Sequence, residues 1–356
     1  MSQVDAPSCL CYHPSASLRC SKVLDYVITQ QFKRGAGALG SRVGMNFHQQ
    51  LASIAPDKST VLTVGVFDGV HQGHRHLLRR LVERAGSDYL PTVLTFTNHP
   101  ISVLRPGVEI SYLTSLNERV RLMKEQGIEL VVPLDFTHEL SQVSADDFTA
   151  TLVNSLGMKG LVAGPDSTLG RDRQGDIGFL KQRGSELGFW VEVMDPLLID
   201  GELVKSRRIR SELEEGDVAA CAKLLGRKYG FEGLVVKGDQ RGAQMGFPTA
   251  NLEMDPRTAL PGDGIYATWV TIDGVKRPSA TSIGIRPHFG LSERLVEVFV
   301  MDFSADLYGQ RLNVEFVSKL RGQESFPGLE ELISQIDRDV AGARAALDQD
   351  RKADGA

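Results

Sequence analysis

The sequence of 356 residues has no hydrophobic run long enough to cross a membrane, because a spanning helix needs about 18 or more consecutive apolar residues. Its N-terminus also lacks the apolar stretch of roughly 7 to 15 residues that marks a secretory signal. Basic residues are not in excess, since 40 Lys and Arg face 45 Asp and Glu and give a net charge of -5. We therefore expect an intracellular, cytoplasmic protein that binds neither a membrane nor the phosphate backbone of nucleic acids.

Cysteine is scarce as well, and its four positions follow no known pairing pattern. Cys9, Cys11 and Cys20 stand near the N-terminus, while Cys221 stands far along the chain. This spacing fits neither a disulfide framework nor a zinc site built from two cysteine pairs. We expect four free thiols.

What the sequence does contain is enough apolar material for two domains. Hydrophobic residues make up 42% and charged residues 24%, close to the averages for globular proteins. At roughly 150 residues per domain, the length also predicts two domains. Residues 1–56 have five basic and two acidic side chains and no sustained apolar period, so we expect a poorly ordered extension. Its composition fits an organellar transit peptide, but we favour a start placed too early, with Met45 as the initiator.

Residues 57–220 alternate predicted strands with predicted helices. Helical spacing of apolar residues, with capping signals such as Ser115 followed by Glu118, indicates helices between the strands. This alternation predicts a doubly wound parallel sheet. The strands are near-continuous apolar runs, as expected where both faces of a sheet are buried, at 61–67, 92–96, 128–134, 158–164 and 189–193.

Residues 221–348 show a different pattern, with short runs rich in Val, Ile, Thr, Tyr and Phe and a hairpin signal at Asp273 and Gly274. Closely spaced strands without helices predict a small antiparallel barrel or sandwich. A final helix from about Leu329 to Leu347 should pack against it, followed by a tail at 349–356. We place the domain boundary between residues 212 and 228.

The segment GVFDGVHQGH (65–74) lies where the first strand ends and the first helix begins. Parallel sheets bind ligands at this position. Gly65 and Gly69 let the backbone approach a nucleotide, and the free N–H groups of the helix attract phosphate. His71 and His74 can then donate hydrogen bonds to charge on a reacting phosphate. Taken alone, the two histidines also fit surface positions, whereas a metal pair lacks further ligands at suitable spacing.

The second half contains a glycine-rich loop that runs into PTAN (248–251). Thr249 and Asn251 present oxygen ligands of the kind that suit magnesium carrying nucleotide phosphates, although a generic turn has the same composition. Further on, Glu297 shares one strand face with Phe299 and Met301 by its period of two. A carboxylate in such a row is unusual for an exposed strand.

The first half resembles the HxGH nucleotidyltransferases and, more closely, the bacterial FAD synthetase module. Besides 65–74, the segments 95–100, 164–176 and 204–210 are similar to the family patterns TFxPHP, GxDFRFGxxRxGD and ISSTxIR. Four of the departures from these patterns replace the family's usual Phe, Phe, Ser and Thr. They are Ser167, Leu169, Lys205 and Arg207.

The second half resembles the riboflavin kinase family through PTAN and through the segments at 262–270, 282–290, 295–303 and 306–321. The resemblance places Glu297 at the catalytic position, where it would take the proton from the 5'-hydroxyl of riboflavin. His288 and Ala243 depart from the family's common Thr and Arg.

Together the two resemblances cover about residues 60–345 and imply a set of site residues. The implied catalytic residues are Glu297, His71 and His74. The implied ATP-binding residues of the first half are Gly65, Phe67, Asp68, Gly69, His71, His74, Asp166, Arg173, Ser206, Arg207 and Arg210. Those of the second half are Gly238, Gly242, Gly246, Pro248, Thr249 and Asn251, of which Thr249 and Asn251 are also the implied magnesium ligands.

The implied function is a bifunctional enzyme of FAD biosynthesis. The second half would make FMN and ADP from riboflavin and ATP, and the first half would join FMN to the AMP of a second ATP, releasing pyrophosphate. Both steps would use magnesium, and we expect small-molecule substrates and at most weak self-association. Two alternatives stay open: a riboflavin kinase with a degenerate nucleotidyltransferase domain, and a non-catalytic flavin- or nucleotide-binding regulator.

Overall fold

The computed structural model describes residues 45–238, 242, 245–285 and 294–354. In these residues the chain forms a five-stranded parallel sheet, a closed six-stranded antiparallel barrel and a long C-terminal helix. The predicted fold class is confirmed. The described helices include none with the length and apolar character that crossing a membrane requires.

The first half alternates strands and helices as predicted. Its strands are β1 (Thr60–Val64), β2 (Leu90–Phe96), β3 (Leu130–Leu134), β4 (Met158–Ala163) and β5 (Trp190–Val193). Its helices are α1 (Phe47–Ala52), α2 (Gln72–Ala85), α3 (Pro100–Leu104), α4 (Leu116–Glu125), α5 (His138–Ser141), α6 (Ala145–Leu156) and α7 (Ile177–Leu187). A short hairpin, β6 (Leu198–Ile199) and β7 (Glu202–Leu203), leads to α8 (Ser206–Glu215) and α9 (Val218–Leu225).

The parallel sheet has the order β3-β2-β1-β4-β5 and is covered on both faces. Val61 and Val93 pack under α2 and α4, whereas the next residues along the same strands, Leu62 and Leu94, pack under α1, α6 and α7. Burial on both faces explains why these strands are nearly continuous apolar runs. The chain winds in opposite directions from β1, so a crevice opens at the carboxyl ends of β1 and β4.

The expectation of a poorly ordered extension up to residue 56 is wrong for its last part, because α1 is a packed helix. The Asn46 side chain caps its N-terminus, and the ring of Phe47 stacks on Phe148 at 4.8 Å between centroids. Leu51 is fully buried. A helix of one and a half turns with two buried residues has no period long enough to detect in the sequence. Residues 1–44 lie outside the described residues.

The second half is a closed barrel, which settles the choice between barrel and sandwich. Its strands are β8 (Gly230–Val236), β9 (Thr249–Glu253), β10 (Gly264–Ile272), β11 (Val275–Ile285), β12 (Arg294–Val300) and β13 (Arg311–Arg321), in the order β10-β11-β12-β9-β8-β13. The predicted hairpin at Asp273 and Gly274 joins β10 to β11. The last helix is α10 (Leu329–Asp354).

The helices between the two halves share the core of the barrel. Ile209 of α8 and Cys221 of α9 belong to the same buried cluster as Val298 and Phe316 from the barrel interior. Burial raises the pKa of the Cys221 thiol to about 12, and the thiol is free. The other three cysteines lie outside the described residues. The predicted boundary at 212–228 falls on these helices, and its placement stays a prediction.

Helix α10 covers the outer face of β10, β11 and β13 and is longer than predicted. The expected tail from residue 349 is wrong as far as residue 354, because the helix continues there. Asp350 accepts a hydrogen bond from the Trp269 indole at 2.7 Å and pairs with Lys228 at 3.0 Å. Polar anchors of this kind leave no apolar period in the sequence.

Candidate active sites

The turn between β1 and α2 has an unusual backbone. Phe67, Gly69 and Val70 all have positive φ angles, of 54°, 83° and 39°. Such conformations are strained for residues other than glycine and persist only where surrounding contacts fix them. Here Phe67 and Val70 are buried in the core, and the Gly69 N–H donates to the Thr114 hydroxyl at 3.0 Å. The turn is therefore a fixed element that positions the start of α2.

His71 and His74 lie together at the N-terminus of α2. Their rings stack with centroids 3.6 Å apart, and the His74 N–H donates to His71 Nδ1 at 3.2 Å. Because Nδ1 accepts this bond, we assign the proton of His71 to Nε2. His71 caps the helix through the same contact. Its remaining ring nitrogen is thus a donor.

Both histidines are held in the neutral form. Burial lowers the pKa of His71 to about 4, and the positive charges of Arg227 and Arg210 act in the same direction. Burial, then His71 and Arg119, hold the pKa of His74 well below its usual value. Near neutral pH the pair therefore offers N–H donors rather than positive charges. Such donors suit the charge that develops on a phosphate during transfer.

Asp68 connects the turn to two distant parts of the chain. Its carboxylate is 2% exposed and accepts from the backbone N–H groups of Leu113 and Thr114, both at 3.1 Å. The Arg210 guanidinium, from α8, donates to it at 2.5 Å. The Ser206 hydroxyl donates to the Asp68 carbonyl oxygen at 2.8 Å. Asp68, Ser206 and Arg210 thus form one network that fixes α8 against the turn.

This network brings the N-termini of α2 and α8 close together. A Cβ atom on Gly73, in the first turn of α2, would lie 3.2 Å from the carbonyl oxygen of Val204, just before α8. Lys205 takes the N-cap position of α8 without a side-chain capping bond. Two helix N-termini that converge on one crevice attract an anion through their free N–H groups and positive dipole ends.

The loop after β4 contributes Asp166 to the edge of this crevice. Its carboxylate lies 3.4 Å from the Lys205 ammonium, and both side chains are exposed. Arg173 donates to the Thr168 hydroxyl at 3.1 Å, which keeps it within its own loop. Arg207 is exposed, and its side chain makes no ion pair or hydrogen bond with the described residues. The structure therefore joins Asp166 to the site but leaves Arg173 and Arg207 without a contact to it.

Sequence reasoning missed Arg119 of α4, which supports the same turn from below. It is 1% exposed, and its Nη1 donates to the carbonyl oxygens of Val66 and Phe96, each at 2.9 Å. These carbonyl groups lie at the carboxyl ends of β1 and β2. The available signal was the position of Arg119 three residues before Leu122, on the buried stripe of α4.

The second site lies on the outer face of the barrel, where β9 pairs with β12. In this antiparallel register Glu297 stands opposite Asn251, and Phe299 stands opposite Thr249. Side chains in opposite positions share a face, with Cβ atoms about 4.5 to 5.5 Å apart. Val298 points the other way into the barrel core. Strand pairing alone thus places Glu297 beside the Thr249 and Asn251 side chains.

The described part of the glycine-rich loop lies against these side chains. A Cβ atom on Gly238 would lie 2.3 Å from Asn251 Nδ2, and one on Gly242 would lie 2.3 Å from the Phe247 carbonyl oxygen. The Phe247 N–H donates to the Gly242 carbonyl at 2.8 Å, and Gly246 has a φ of 87° in the turn between them. Only glycine fits at these positions.

Phe247 and Phe299 pack edge to face at 5.5 Å beside this loop. Pro248 is exposed just before β9, where a missing N–H does not interrupt the sheet. The described residues hold no cluster of three or more His, Cys, Asp or Glu side chains that would form a metal site by itself. Ala243 and His288, which depart from the kinase pattern, lie outside the described residues.

Two family models match the chain in succession. The FAD synthetase model matches residues 53–208, and the riboflavin kinase model matches residues 225–347. The first covers the sheet with the histidine pair and the start of α8. The second covers the barrel and α10 through residue 347.

Relatives and solved structures match across both halves. A bifunctional riboflavin kinase/FMN adenylyltransferase from Pseudomonas fluorescens is 37% identical over 305 residues, covering 85% of this chain and 97% of the relative. One from Escherichia coli K12 is 35% identical over 295 residues, covering 82% and 94%. A crystal structure from Streptococcus pneumoniae, described as a macrolide-efflux protein, superimposes with a TM-score of 0.76 at 32% identity and covers 81% of this chain and 95% of that one.

Proposed function

The chain belongs to the family of bifunctional riboflavin kinase/FMN adenylyltransferases, and from this we propose that Glu297 acts in the kinase step and that His71 and His74 act in the adenylyl transfer. The chain is an enzyme of FAD biosynthesis with both activities. ATP, riboflavin and FMN are its substrates.

In the kinase half, Glu297 accepts the proton of the riboflavin 5'-hydroxyl as that oxygen attacks the γ-phosphorus of ATP, and ADP leaves. The observation that supports this role is the register of β12 on β9, which places the carboxylate beside Asn251. A general base has to lie within hydrogen-bonding reach of the proton that it removes. Phe247 and Phe299 provide an apolar wall on the same face.

Thr249 and Asn251 are the proposed ligands of magnesium in this half. Their hydroxyl and amide oxygens are the hard, neutral donors that magnesium accepts, so the phosphates of ATP must supply the balancing charge. The loop leaves no room for side chains at Gly238 or Gly242, which keeps this face open to phosphate groups. When bound, the ion would neutralise charge on the transferred phosphate.

In the first half, a phosphate oxygen of FMN attacks the α-phosphorus of ATP and pyrophosphate leaves. The neutral imidazoles of His71 and His74 donate hydrogen bonds to the charge that develops, and the N-termini of α2 and α8 hold the phosphate chain. A Cβ atom on Gly65 would lie 3.0 Å from the Phe67 ring and one on Gly69 would lie 3.0 Å from the Leu113 side chain, so glycine at both positions lets the turn pack closely. No proton transfer is required in this step, because the attacking phosphate is already ionised.

We propose different tasks for the other residues of this site. Asp68, Ser206 and Arg210 position the turn and α8, because their polar groups already bond to one another. Lys205 and Arg207 contact the triphosphate in place of the family's two hydroxyl groups, since guanidinium and ammonium groups bind phosphate strongly. Asp166 orients Lys205 through their ion pair.

One assay tests the proposal as a whole. Purified protein is supplied with riboflavin, ATP and magnesium, and the flavin products are separated over time. We expect FMN to appear first and FAD to follow, and we expect both to stop when EDTA removes the metal and to resume when magnesium is restored. Accumulation of FMN without FAD would instead support the second candidate, a degenerate first domain, which the departures at Ser167, Lys205 and Arg207 suggest.

Because both steps consume ATP, we also propose a cytoplasmic location. Weak self-association stays a prediction.

A further inference from the structure

A cavity of about 560 Å³ lies between the two halves, and neither the two histidines nor Glu297 is among the residues that line it. Its walls come from the start of α4 and from the first and last strands of the barrel. Six cationic side chains line it, which are Arg119, Arg121, Arg227, Lys228, Arg257 and Arg311. A cavity of this size accommodates a small molecule.

Four of these six cations are already neutralised by carboxylates. The ion pairs are Arg121 with Glu118 at 2.6 Å, Lys228 with Asp350 at 3.0 Å, Arg257 with Asp255 at 2.8 Å and Arg311 with Glu232 at 3.0 Å. The remaining carboxylate of the lining, Glu315, pairs with Lys276. Arg119 and Arg227 are therefore the two lining cations that form no ion pair with any described residue.

These two guanidinium groups are also the most desolvated of the lining. Nε of Arg119 and Nη1 of Arg227 are buried nitrogen atoms for which the described part of the chain provides no hydrogen-bond acceptor. Burial lowers the pKa of Arg227 to about 10 and lowers that of Arg119 as well. Glu118 attracts Arg227, but both of its carboxylate oxygens bond to Arg121, at 2.8 and 2.6 Å.

An unpaired cation with unsatisfied donors is costly inside a protein, so its presence calls for a partner that the described residues do not supply. We propose that this cavity binds the phosphate group of a small molecule, with Arg119 and Arg227 as its cationic ligands. A phosphate dianion matches two positive charges and accepts several charge-assisted hydrogen bonds. The Tyr112 and Phe231 rings, which also line the cavity, can pack against an organic part of the ligand.

The position of the ligand is the first test. Crystals of the full chain soaked in tungstate, a phosphate analogue with strong anomalous scattering, should show density between Arg119 and Arg227. Crystals of Arg227→Met should lack this peak and keep any peak at the α2 turn. Density at the α2 turn alone, or at neither place, would overturn the proposal.

Thermal unfolding in solution gives a second test that does not depend on either reaction. We expect inorganic phosphate to stabilise the parent chain, and we expect Arg227→Met to need at least a tenfold higher concentration for the same shift, as when a charge-assisted contact is lost. Without phosphate, Arg227→Met should melt no lower than the parent, because the buried Nη1 of Arg227 has no acceptor among the described residues. Arg257→Met is the matched control, since Arg257 lines the same cavity but is paired with Asp255.

The same variants identify the source of the phosphate group. Pyrophosphate and FMN are titrated beside inorganic phosphate, and the ligand that loses most affinity in Arg227→Met, while keeping it in Arg257→Met, is the occupant. The proposal is wrong if phosphate raises the melting temperature of Arg227→Met as much as that of the parent, or if the variant melts at a lower temperature without phosphate. Arg227 would then only stabilise the fold. FMN and FAD formation, measured in parallel, show whether the reactions themselves are intact.

Discussion

The two halves bind the same kind of substrate, ATP, but assemble their sites in different ways. The proposed kinase site comes from neighbouring strands, because the pairing of β9 with β12 is sufficient to bring Glu297, Asn251 and Thr249 to one face. The proposed adenylyltransferase site depends on the long-range network of Asp68, which joins the turn to α8. A site built by strand register is robust to changes at its edge, whereas a site built by a buried polar network is sensitive to the loss of a single partner.

The largest expected effect tests the kinase side of this comparison. Glu297→Gln keeps the size of the side chain but cannot accept a proton, so FMN formation should fall by about 10²-fold or more. FAD formation from supplied FMN should stay within a few-fold of the parent. The control is Glu253→Gln, on the exposed end of β9, which should change neither rate. A Glu297→Gln variant with nearly normal kinase turnover would make Glu297 a structural residue.

His74→Ala tests the other half. FAD formation from FMN should fall by about 10²-fold, the scale for losing one preorganised donor to a transition-state charge. Riboflavin phosphorylation should continue, because the barrel site does not include this residue. His76→Ala, two residues further along α2, is the matched control and should leave both rates close to those of the parent. Equal loss of both activities in His74→Ala would show unfolding instead of lost catalysis.

The pH dependence of stability should differ between the halves because of His71. Its folded pKa of about 4 lies below the ordinary value of 6.5, so between these values the unfolded chain binds the proton and the folded chain does not. The stabilising contribution is therefore complete above pH 6.5 and is lost as the pH falls towards 4, by about 1.4 kcal/mol per pH unit. The free energy of unfolding, measured with urea at pH 7, 6 and 5, should fall less steeply with decreasing pH in His71→Asn than in the parent. Equal slopes in both proteins would mean that His71 is not held neutral.

The smallest expected effect concerns Lys205 and Arg207. Because both side chains are exposed, their contacts to ATP should be screened by salt, and the double variant Lys205→Ser/Arg207→Thr should raise the Michaelis constant for ATP in FAD formation only about two- to tenfold. The measurement compares parent and variant at low and moderate salt. If neither salt nor the double substitution alters the rate, the helix N-termini alone bind the triphosphate. An inactive parent that gains activity would indicate a decayed site.

Sequence reasoning was most successful where a local pattern determines the structure. The strands of the parallel sheet are continuous apolar runs because both faces are buried, and Ser115 caps α4 as its sequence predicts. The HxGH turn was also recognisable, because its glycine and histidine positions are local. The alternation of side chains along a strand likewise made it predictable that Glu297 and Phe299 share a face.

The residues that sequence reasoning missed or left incomplete act over long distances. Nothing near Asp68 in the sequence indicates that its partners are Thr114 and Arg210, and the buried position of Arg119 follows only from the packing of α4 on the sheet. The short helix α1 and the end of α10 were missed for a related reason, since a few contacts such as that of Asp350 with Trp269 stabilise them without a repeating pattern. Tertiary contacts of this kind override local propensity.

The bond between Asp68 and Arg210 spans 142 positions of the chain, and this has a consequence for protein synthesis. At roughly 5 to 20 residues per second, the ribosome needs about 7 to 28 s to add the arginine after the aspartate. During this time the nascent chain can form strands β1 to β5 but cannot complete the proposed adenylyltransferase pocket. The FAD synthetase family model ends at residue 208, before Arg210, so a fragment cut at that point would leave the carboxylate of Asp68 without its cation. An isolated first domain therefore has to include the whole of α8.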